Sequence, residues 1–92
     1  MVEKPLSNMK PGEKGIISKV AGDASTRKRL LEMGFVKGTE VIAVRKAPLG
    51  DPIEFLLKGY NITLRKIDCE NVYVVTESEE VVANSAWDVA RK

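Results

Sequence analysis

Short apolar runs separated by turn residues dominate the second half of the chain. Residues 40–46 are rich in β-branched side chains, which suits a largely buried strand. Ile53, Phe55 and Leu57 recur at every second position, and this period of two indicates a strand with one inward face. The pattern therefore predicts four consecutive strands, at residues 40–46, 53–58, 62–65 and 72–76.

Glycine and proline mark the connections between these strands. Residues 48–52, Pro-Leu-Gly-Asp-Pro, form a strong break after the first of them. Residues 58–61 predict a hairpin connection, in which Gly59 can supply the positive φ that such a turn requires. We expect a further tight turn at residues 66–71, before the last strand.

The first part of the chain predicts one more strand and one short helix. Residues 1–9 are a lead-in, and the strand occupies residues 15–20. Either Asp23 or Ser25 can cap the helix, because its side chain accepts hydrogen bonds from the unpaired N–H groups of the first turn. Gly34 stands where a left-handed helix end is expected. The apolar stripe of the helix consists of Leu30, Leu31 and Met33.

Five short strands and one helix cannot cover both faces of an open sheet. Curling into a barrel buries the inward side chains and removes exposed edges. We therefore predict a mainly β fold: a small SH3-like barrel of five to six strands, with one short helix after the first strand. Residues 1–76 would form this domain. Residues 77–92 would be a C-terminal extension, either helical or flexible, that contains the only tryptophan, Trp87.

Composition agrees with one globular domain. A chain of 92 residues can form one apolar core, and 43% apolar with 30% charged residues is ordinary for a folded protein. No apolar run approaches the roughly 20 residues of a membrane-spanning helix, and the N-terminus lacks the pattern of a secretory signal. We therefore expect no direct membrane insertion, so that any membrane connection is made through a partner.

Residue types narrow the chemistry further. Histidine is absent, which removes the commonest acid–base catalyst. Cys69 is the single cysteine and cannot form an internal disulfide, which fits a reducing cytoplasm. The sequence has neither a Ser/His/Asp or Cys/His set nor a phosphate-binding glycine-rich loop, so an enzyme is not expected. The adjacent carboxylates Glu79 and Glu80 are interpreted as solvated surface. A net charge of +2 does not suggest a nucleic-acid binder.

Four segments carry an ordered set of motifs. Residues 29–38 contain an Arg-Leu pair, then Met-Gly, an apolar pair and a second glycine. Residues 47–52 contain Pro-x-Gly-Asp-Pro, residues 59–65 read Gly-Tyr-Asn-Ile-Thr-Leu-Arg, and residues 72–74 form a closing strand. In this order and spacing the segments resemble the ferrous iron transport protein A (FeoA) family over about residues 6–76.

The resemblance implies a non-enzymatic, cytoplasmic accessory protein of ferrous iron uptake. Such a protein would bind and regulate the membrane iron transporter FeoB, which carries a cytoplasmic GTPase domain. Thr63 and Cys69, where alanine is usual or common in the family, and the extension at residues 77–92 depart from the family pattern. Related domains occur at the C-termini of iron-dependent transcriptional repressors, but no helix-turn-helix region precedes the barrel in this sequence.

The candidate metal ligands are few. Ferrous iron prefers imidazole, carboxylate and sometimes thiolate ligands, and the chain offers Asp68, Cys69 and Glu70 as weak candidates. Neighbouring side chains on a strand or turn point in different directions, which makes a poor chelate. Cys69 is more simply a packed thiol, and Asp51 a turn former bonded to its own backbone. We expect no intrinsic cofactor, with ferrous iron or another divalent transition metal weakly supported.

A docking surface is the remaining candidate site. Arg27 and Arg29 give the helix a basic face, which is either merely solvated or steers an acidic partner. Leu49, between a proline and a glycine at a loop tip, cannot easily reach the core and would anchor the contact. Phe35 is a second candidate anchor, and Asp51 completes the predicted set of partner-binding residues.

Two other binding functions remain open at this point. A small barrel can bind single-stranded nucleic acid through stacking aromatics, and Tyr60 and Tyr73 could stack. A groove for proline-rich peptides would need clustered aromatics, whereas those of this chain are scattered. Neither the oligomeric state nor the direction of regulation follows from the sequence.

Overall fold

Six antiparallel strands form one sheet in the computed structural model, which describes residues 2–76. The strands follow the spatial order β1-β6-β2-β3-β4-β5. The predicted extension at residues 77–92 lies outside the described residues. The strands are β1 Val2–Pro5, β2 Lys14–Val20, β3 Glu40–Lys46, β4 Ile53–Leu57, β5 Tyr60–Leu64 and β6 Val72–Thr76.

Three short helical segments connect these strands. Helix α1, Ala24–Glu32, joins β2 to β3, and the single turn α2, Lys66–Cys69, joins β5 to β6. A 3₁₀ turn, Leu6–Asn8, follows β1. Neither helix of the described part of the chain is long and apolar enough to cross a membrane.

The predicted mainly β fold with one short helix is confirmed, with two corrections. Strand β1 lies within the predicted lead-in, so the helix follows the second strand rather than the first. Strand β1 has too little alternation to be found by period, and it forms because its backbone pairs with β6. The tight turn predicted at residues 66–71 contains α2. Residues 77–92 leave the tail prediction without a described counterpart.

Two irregularities bend the sheet. The register shifts between Ile17 and Lys19 in β2, and between Ala43 and Arg45 in β3. Such bulges increase local twist and let a sheet curl over its own inner face. Strands β1 and β5 remain the two edges and do not pair with each other in residues 2–76, so the expected removal of exposed edges is incomplete. Instead, the 3₁₀ turn after β1 contacts α2 after β5.

One apolar core fills the inner face of the curled sheet. Strands β2 to β6 contribute inward-facing residues, and β4 shows the period of two most clearly with its first, third and fifth residues buried. The one buried residue of β1 is Lys4. The fully buried core includes Leu6, Met9, Ile17, Leu30, Phe35, Val41, Ile53, Phe55, Cys69, Val72 and Val74.

Helix α1 is held to this core at its C-terminal end. Asp23 Oδ1 accepts the Thr26 backbone N–H at 2.8 Å, which identifies Asp23 as the cap, and that bond lowers the pKa of the Asp23 carboxyl. Leu30 is the one residue of the helix that is fully buried, whereas Leu31 is exposed. The predicted three-residue apolar stripe is therefore only partly inward.

The chain reverses immediately after α1. Phe35 N–H donates to Leu30 O at 3.1 Å and Gly34 N–H donates to Leu31 O at 3.0 Å. These two bonds form a Schellman motif, with Gly34 at the left-handed position at φ +110°. The motif brings the residue after glycine back onto the helix, so that Phe35 and Leu30 are both fully buried.

An ion pair is buried beside β1. Lys4 Nζ lies 2.9 Å from Glu13 Oε2, with both side chains at least nine-tenths buried. The other carboxylate oxygen of Glu13 accepts the Lys10 backbone N–H at 2.8 Å. The pair thereby connects the short edge strand to the segment that leads into β2.

Replacing Gly34 with alanine should destabilise the fold more than the same change at Gly38. Both residues have positive φ, +110° and +93°. A Cβ at Gly34 would also lie 3.2 Å from Leu57 Cδ2, whereas one at Gly38 would meet nothing within 4 Å. In urea denaturation we expect Gly38→Ala to lower the free energy of unfolding by about 1 kcal/mol and Gly34→Ala by about 2 kcal/mol. Equal losses would show that the Leu57 contact relaxes without cost.

Candidate functional site

The loop between β3 and β4 presents Leu49 on a hydrogen-bonded turn. Gly50 N–H donates to Ala47 O at 2.7 Å, and Ala47 N–H donates to Pro52 O at 2.9 Å. Pro48 stands at the second position of the turn, where its fixed φ is favourable. Leu49 is 96% exposed, as the sequence predicted. The backbone of the turn is therefore restrained by hydrogen bonds, and it presents an apolar side chain to solvent.

Asp51 connects this loop to α2. Its Oδ1 accepts the Lys66 backbone N–H at 2.9 Å, across 15 positions of sequence. The predicted bond to its own turn is therefore replaced by one to the first turn of α2, whose preceding residue makes no side-chain cap. Asp51 positions the loop that carries Leu49 against the start of α2.

Arg29 holds α2 from the other side. Its guanidinium donates to Asp68 Oδ1 at 2.9 Å, which joins the last turn of α1 to α2. The Arg29 side chain is half exposed and that of Asp68 is mostly buried. The structure thus brings together Arg29 and Asp51, which were predicted for docking, and Asp68, which was predicted as a metal ligand. Their hydrogen bonds hold the single helical turn α2 in place.

A cleft lies between α1, the end of β5 and α2, and we refer to it as the α2 cleft. Its volume is about 430 Å³, and Met33, Leu64 and Ile67 supply its apolar lining. Arg65 lies at the cleft beside the Arg29–Asp68 pair. Ile67 is 67% exposed, and sequence reasoning missed it because it falls in a segment predicted to be a turn without periodicity. The cleft suits an apolar side chain accompanied by a carboxylate.

The other predicted docking residues separate. Arg27 is exposed on α1, next to the exposed Leu31 in a shallow depression. Phe35 is fully buried, so its assignment as an exposed anchor is wrong. The physical reason is the Schellman motif, which turns the residue after Gly34 into the core. The apolar residue directly after the helix-ending glycine was the sequence signal for this burial.

The three weak metal candidates do not converge. Asp68 is paired with Arg29, Cys69 is fully buried in the core, and Glu70 is exposed. Burial, with a smaller contribution from the nearby carboxylates of Asp68, Asp51 and Glu70, raises the pKa of the Cys69 thiol to about 12. Within residues 2–76, no three His, Cys, Asp or Glu side chains are grouped as metal ligands would be. Cys69 is a core thiol in the described structure.

The two tyrosines proposed for stacking lie far apart in the sheet order. Tyr60 begins β5 and is 73% exposed, whereas Tyr73 lies in β6 and three strands stand between them. Lys19 Nζ sits 4.7 Å from the centroid of the Tyr73 ring, so one face of that ring is already in contact with a cation. The two rings do not form a platform on neighbouring strands.

These features define a small SH3-like β domain whose exposed chemistry lies in a turn, a cleft and a strand edge. A family model described as the FeoA domain matches residues 4–76. The chain therefore belongs to the FeoA family, which is associated with ferrous iron transport.

Relatives of known name agree with this assignment. An Fe(2+) transport protein A/Fe(2+) transporter FeoB fusion protein of Porphyromonas gingivalis is 37% identical over 81 residues, which cover 88% of this chain and 10% of that protein. This chain thus spans a tenth of the length of that curated relative. The structure of an FeoA-like protein from Clostridium acetobutylicum matches with a TM-score of 0.76 at 30% identity, covering 83% of this chain and 88% of that chain.

Two further structures bear on the fold. Stenotrophomonas maltophilia FeoA, described as a prokaryotic SH3 domain protein and solved in complex with zinc, matches with a TM-score of 0.69 at 29% identity. That match covers 77% of this chain and 88% of that chain. A manganese-dependent transcriptional repressor matches with a TM-score of 0.76 but only 13% identity, over 83% of this chain and 37% of the repressor, and shows the fold alone.

Cys69 should resist alkylation in the folded protein. A thiol with a pKa of about 12 is almost entirely protonated at pH 8, and only the thiolate reacts. We expect iodoacetamide to label the native chain at least about 100-fold more slowly than the urea-unfolded chain, because the unfolded thiol regains a pKa near 8.5. Mass spectrometry of quenched samples measures both rates. Native labelling at the unfolded rate would place Cys69 outside the core.

Proposed function

We propose that this chain is a non-enzymatic, cytoplasmic accessory protein of ferrous iron uptake that docks on the cytoplasmic region of a FeoB-type transporter. Membership of the FeoA family and the fusion of a relative to FeoB support a partner of this kind. A fusion keeps two domains at high effective concentration, which favours pairs that work in contact. The iron is the cargo of the transporter in this proposal.

The exposure of Leu49 is the observation that carries the proposal. An apolar side chain that is 96% exposed on a fixed turn gains apolar burial when a partner covers it. Because the turn is already hydrogen-bonded, binding costs little conformational entropy of this loop. The bond from Lys66 to Asp51 sets this turn beside α2, whose Ile67 is also exposed. Leu49 and Ile67 would form the apolar part of the contact.

Basic residues would steer the encounter. Arg27 is exposed on α1 and Arg65 borders the α2 cleft. Neither side chain forms an ion pair among residues 2–76, so both charges are available to an acidic patch. Charges at the rim of an interface mainly raise the association rate, whereas the buried apolar anchor sets the dissociation rate.

Regulation would follow from differential affinity. A domain that binds one conformation of the transporter more tightly than another shifts the population towards that conformation. Tenfold preference corresponds to about 1.4 kcal/mol, a value that a single well-packed leucine can supply. In this proposal no bond is made or broken on this chain, because its effect is a shift in the conformational population of the partner.

A metal ion held by this chain is not part of the proposal. The relative from Stenotrophomonas maltophilia was solved with zinc. Metal binding by Asp68, Cys69 and Glu70 of this chain would require three changes. Arg29 would have to release Asp68, and the core would have to expose and deprotonate the Cys69 thiol. The domain would act through contact surfaces.

Replacing Leu49 with aspartate should weaken docking strongly without affecting the fold. The change removes the apolar anchor and places a like charge before an acidic partner, which we expect to weaken binding by about 30-fold or more. The melting temperature should change by less than about 2 °C, because the side chain has almost no contacts to lose. Calorimetric titration into the purified transporter measures the affinity.

Leu49→Met is the matched control, because it keeps an apolar side chain of similar size at the turn. Its affinity should stay within about threefold of the parent chain. If Leu49→Asp binds as tightly as the parent, the turn is not the anchor. If the parent chain itself does not bind the transporter, the proposed partner is wrong.

A further inference from the structure

Within residues 2–76, strand β5 is an edge of the sheet, and the backbone groups that face away from its neighbour can be assigned. Among these residues it pairs only with β4, in the register that places Leu57 opposite Tyr60. The two connecting residues, Lys58 and Gly59, both have positive φ, +53° and +85°, which is the type I′ hairpin geometry. In such a hairpin the residues flanking the turn form a hydrogen-bonded pair.

The alternation of an antiparallel ladder fixes the rest. Tyr60, Ile62 and Leu64 direct their N–H and C=O groups towards β4, and Asn61 and Thr63 direct theirs away from it. None of the turn, loop and cap backbone hydrogen bonds of residues 2–76 involves Asn61 or Thr63. Two donors and two acceptors thus face outward along this edge.

The two edges of the sheet differ in how they are protected. Strand β1 carries Glu3, Lys4 and Pro5, the charged and proline residues with which proteins block strand addition. Strand β5, Tyr-Asn-Ile-Thr-Leu, contains no charge and no proline, and its β-branched and aromatic residues favour extended pairing. Four of its five residues are exposed or half-buried. The composition of β5 therefore favours pairing with an added strand.

The charges at the ends of β5 select the occupant. Lys58 stands at one end and Arg65 at the other, and neither forms an ion pair among the described residues. Two carboxylates near this strand are already engaged: Glu54 with Arg45 and Asn61, and Asp68 with Arg29. A second copy added antiparallel would bring cationic ends together, which is unfavourable.

We propose that β5 is a strand-addition site for an extended segment of a partner protein with a β-branched centre and acidic residues at both ends. Main-chain bonds to Asn61 and Thr63 hold the segment, and its acidic ends meet Lys58 and Arg65. The α2 cleft, which Thr63 and Leu64 help to line, receives one apolar side chain. This site does not include Leu49 and does not depend on the identity of the transporter, although it shares Arg65 and the α2 cleft with the proposed docking surface.

The test uses the full chain and a synthetic nine-residue peptide, Asp-Glu-Val-Thr-Val-Thr-Val-Glu-Asp, with blocked termini. In an amide NMR titration we expect saturable shifts along β5 and slower hydrogen exchange at the N–H groups of Asn61 and Thr63. Binding should weaken as salt is raised. A peptide of the same centre with lysines at both ends should bind at least about tenfold more weakly.

Two variants separate backbone pairing from other contacts. Thr63→Pro removes the outward N–H without touching the bonds to β4, so the hairpin should persist while peptide affinity falls by about tenfold or more. Thr63→Val keeps the N–H and should bind within about twofold of the parent chain. Unchanged exchange at Asn61 and Thr63, or equal binding by Thr63→Pro, would overturn the proposal.

A charge reversal keeps the test decisive even if Thr63→Pro fails to fold. Lys58→Asp combined with Arg65→Glu should exchange the preference, so that the lysine-ended peptide binds more tightly than the acidic one. An unchanged preference would contradict the role given to the two cationic ends. Dimerisation of the parent chain through β5 would show that a second copy, and not an acidic segment, is the occupant.

Discussion

The reversal of the chain after α1 is the constraint on which the rest of the structure depends. Strands β2 and β3 are neighbours in the sheet, yet the helix lies between them in sequence. The excursion closes on a single residue, because Ile17 O accepts Gly38 N–H at 2.8 Å and Ile17 N–H donates to Thr39 O at 2.9 Å. Gly34 makes that return possible by ending the helix in the left-handed conformation. With it, Phe35 enters the core and β3 begins in register.

The sequence was most informative where a local rule and the global fold agree. Strands β3 to β6 follow from their periodicity, and the turn at Leu49 follows from the proline and glycine beside it, because both signals are local. Strand β1 forms through its pairing with β6, and its four residues show no alternating apolar pattern that would indicate a strand. Phe35 was misplaced because its surroundings were taken as a loop, although the glycine before it specifies a motif that buries the next apolar residue.

The candidate site was harder to predict than the fold because its parts meet only in three dimensions. Arg29, Asp51 and Asp68 were identified individually for docking or for metal binding. The structure instead uses all three to fasten α2, through bonds that span 39 positions in one case and 15 in the other. Pairings of that separation leave no periodic trace in one sequence. Small domains with a filled core must place their chemistry in such fastened turns and edges, because no internal cavity is left for it.

The buried Lys4–Glu13 pair has a consequence for how sequences of this fold can diverge. Two ionised groups shielded from water compensate each other, and loss of Glu13 would leave the buried Lys4 ammonium without the carboxylate that it contacts, at a cost of several kcal/mol. An apolar pair of similar volume would be tolerated, but substitution of Glu13 alone would cause a large loss of stability. Positions 4 and 13 should therefore change together among homologues, or hardly at all. The pair would therefore limit the substitutions that the N-terminal strand can accept during evolution.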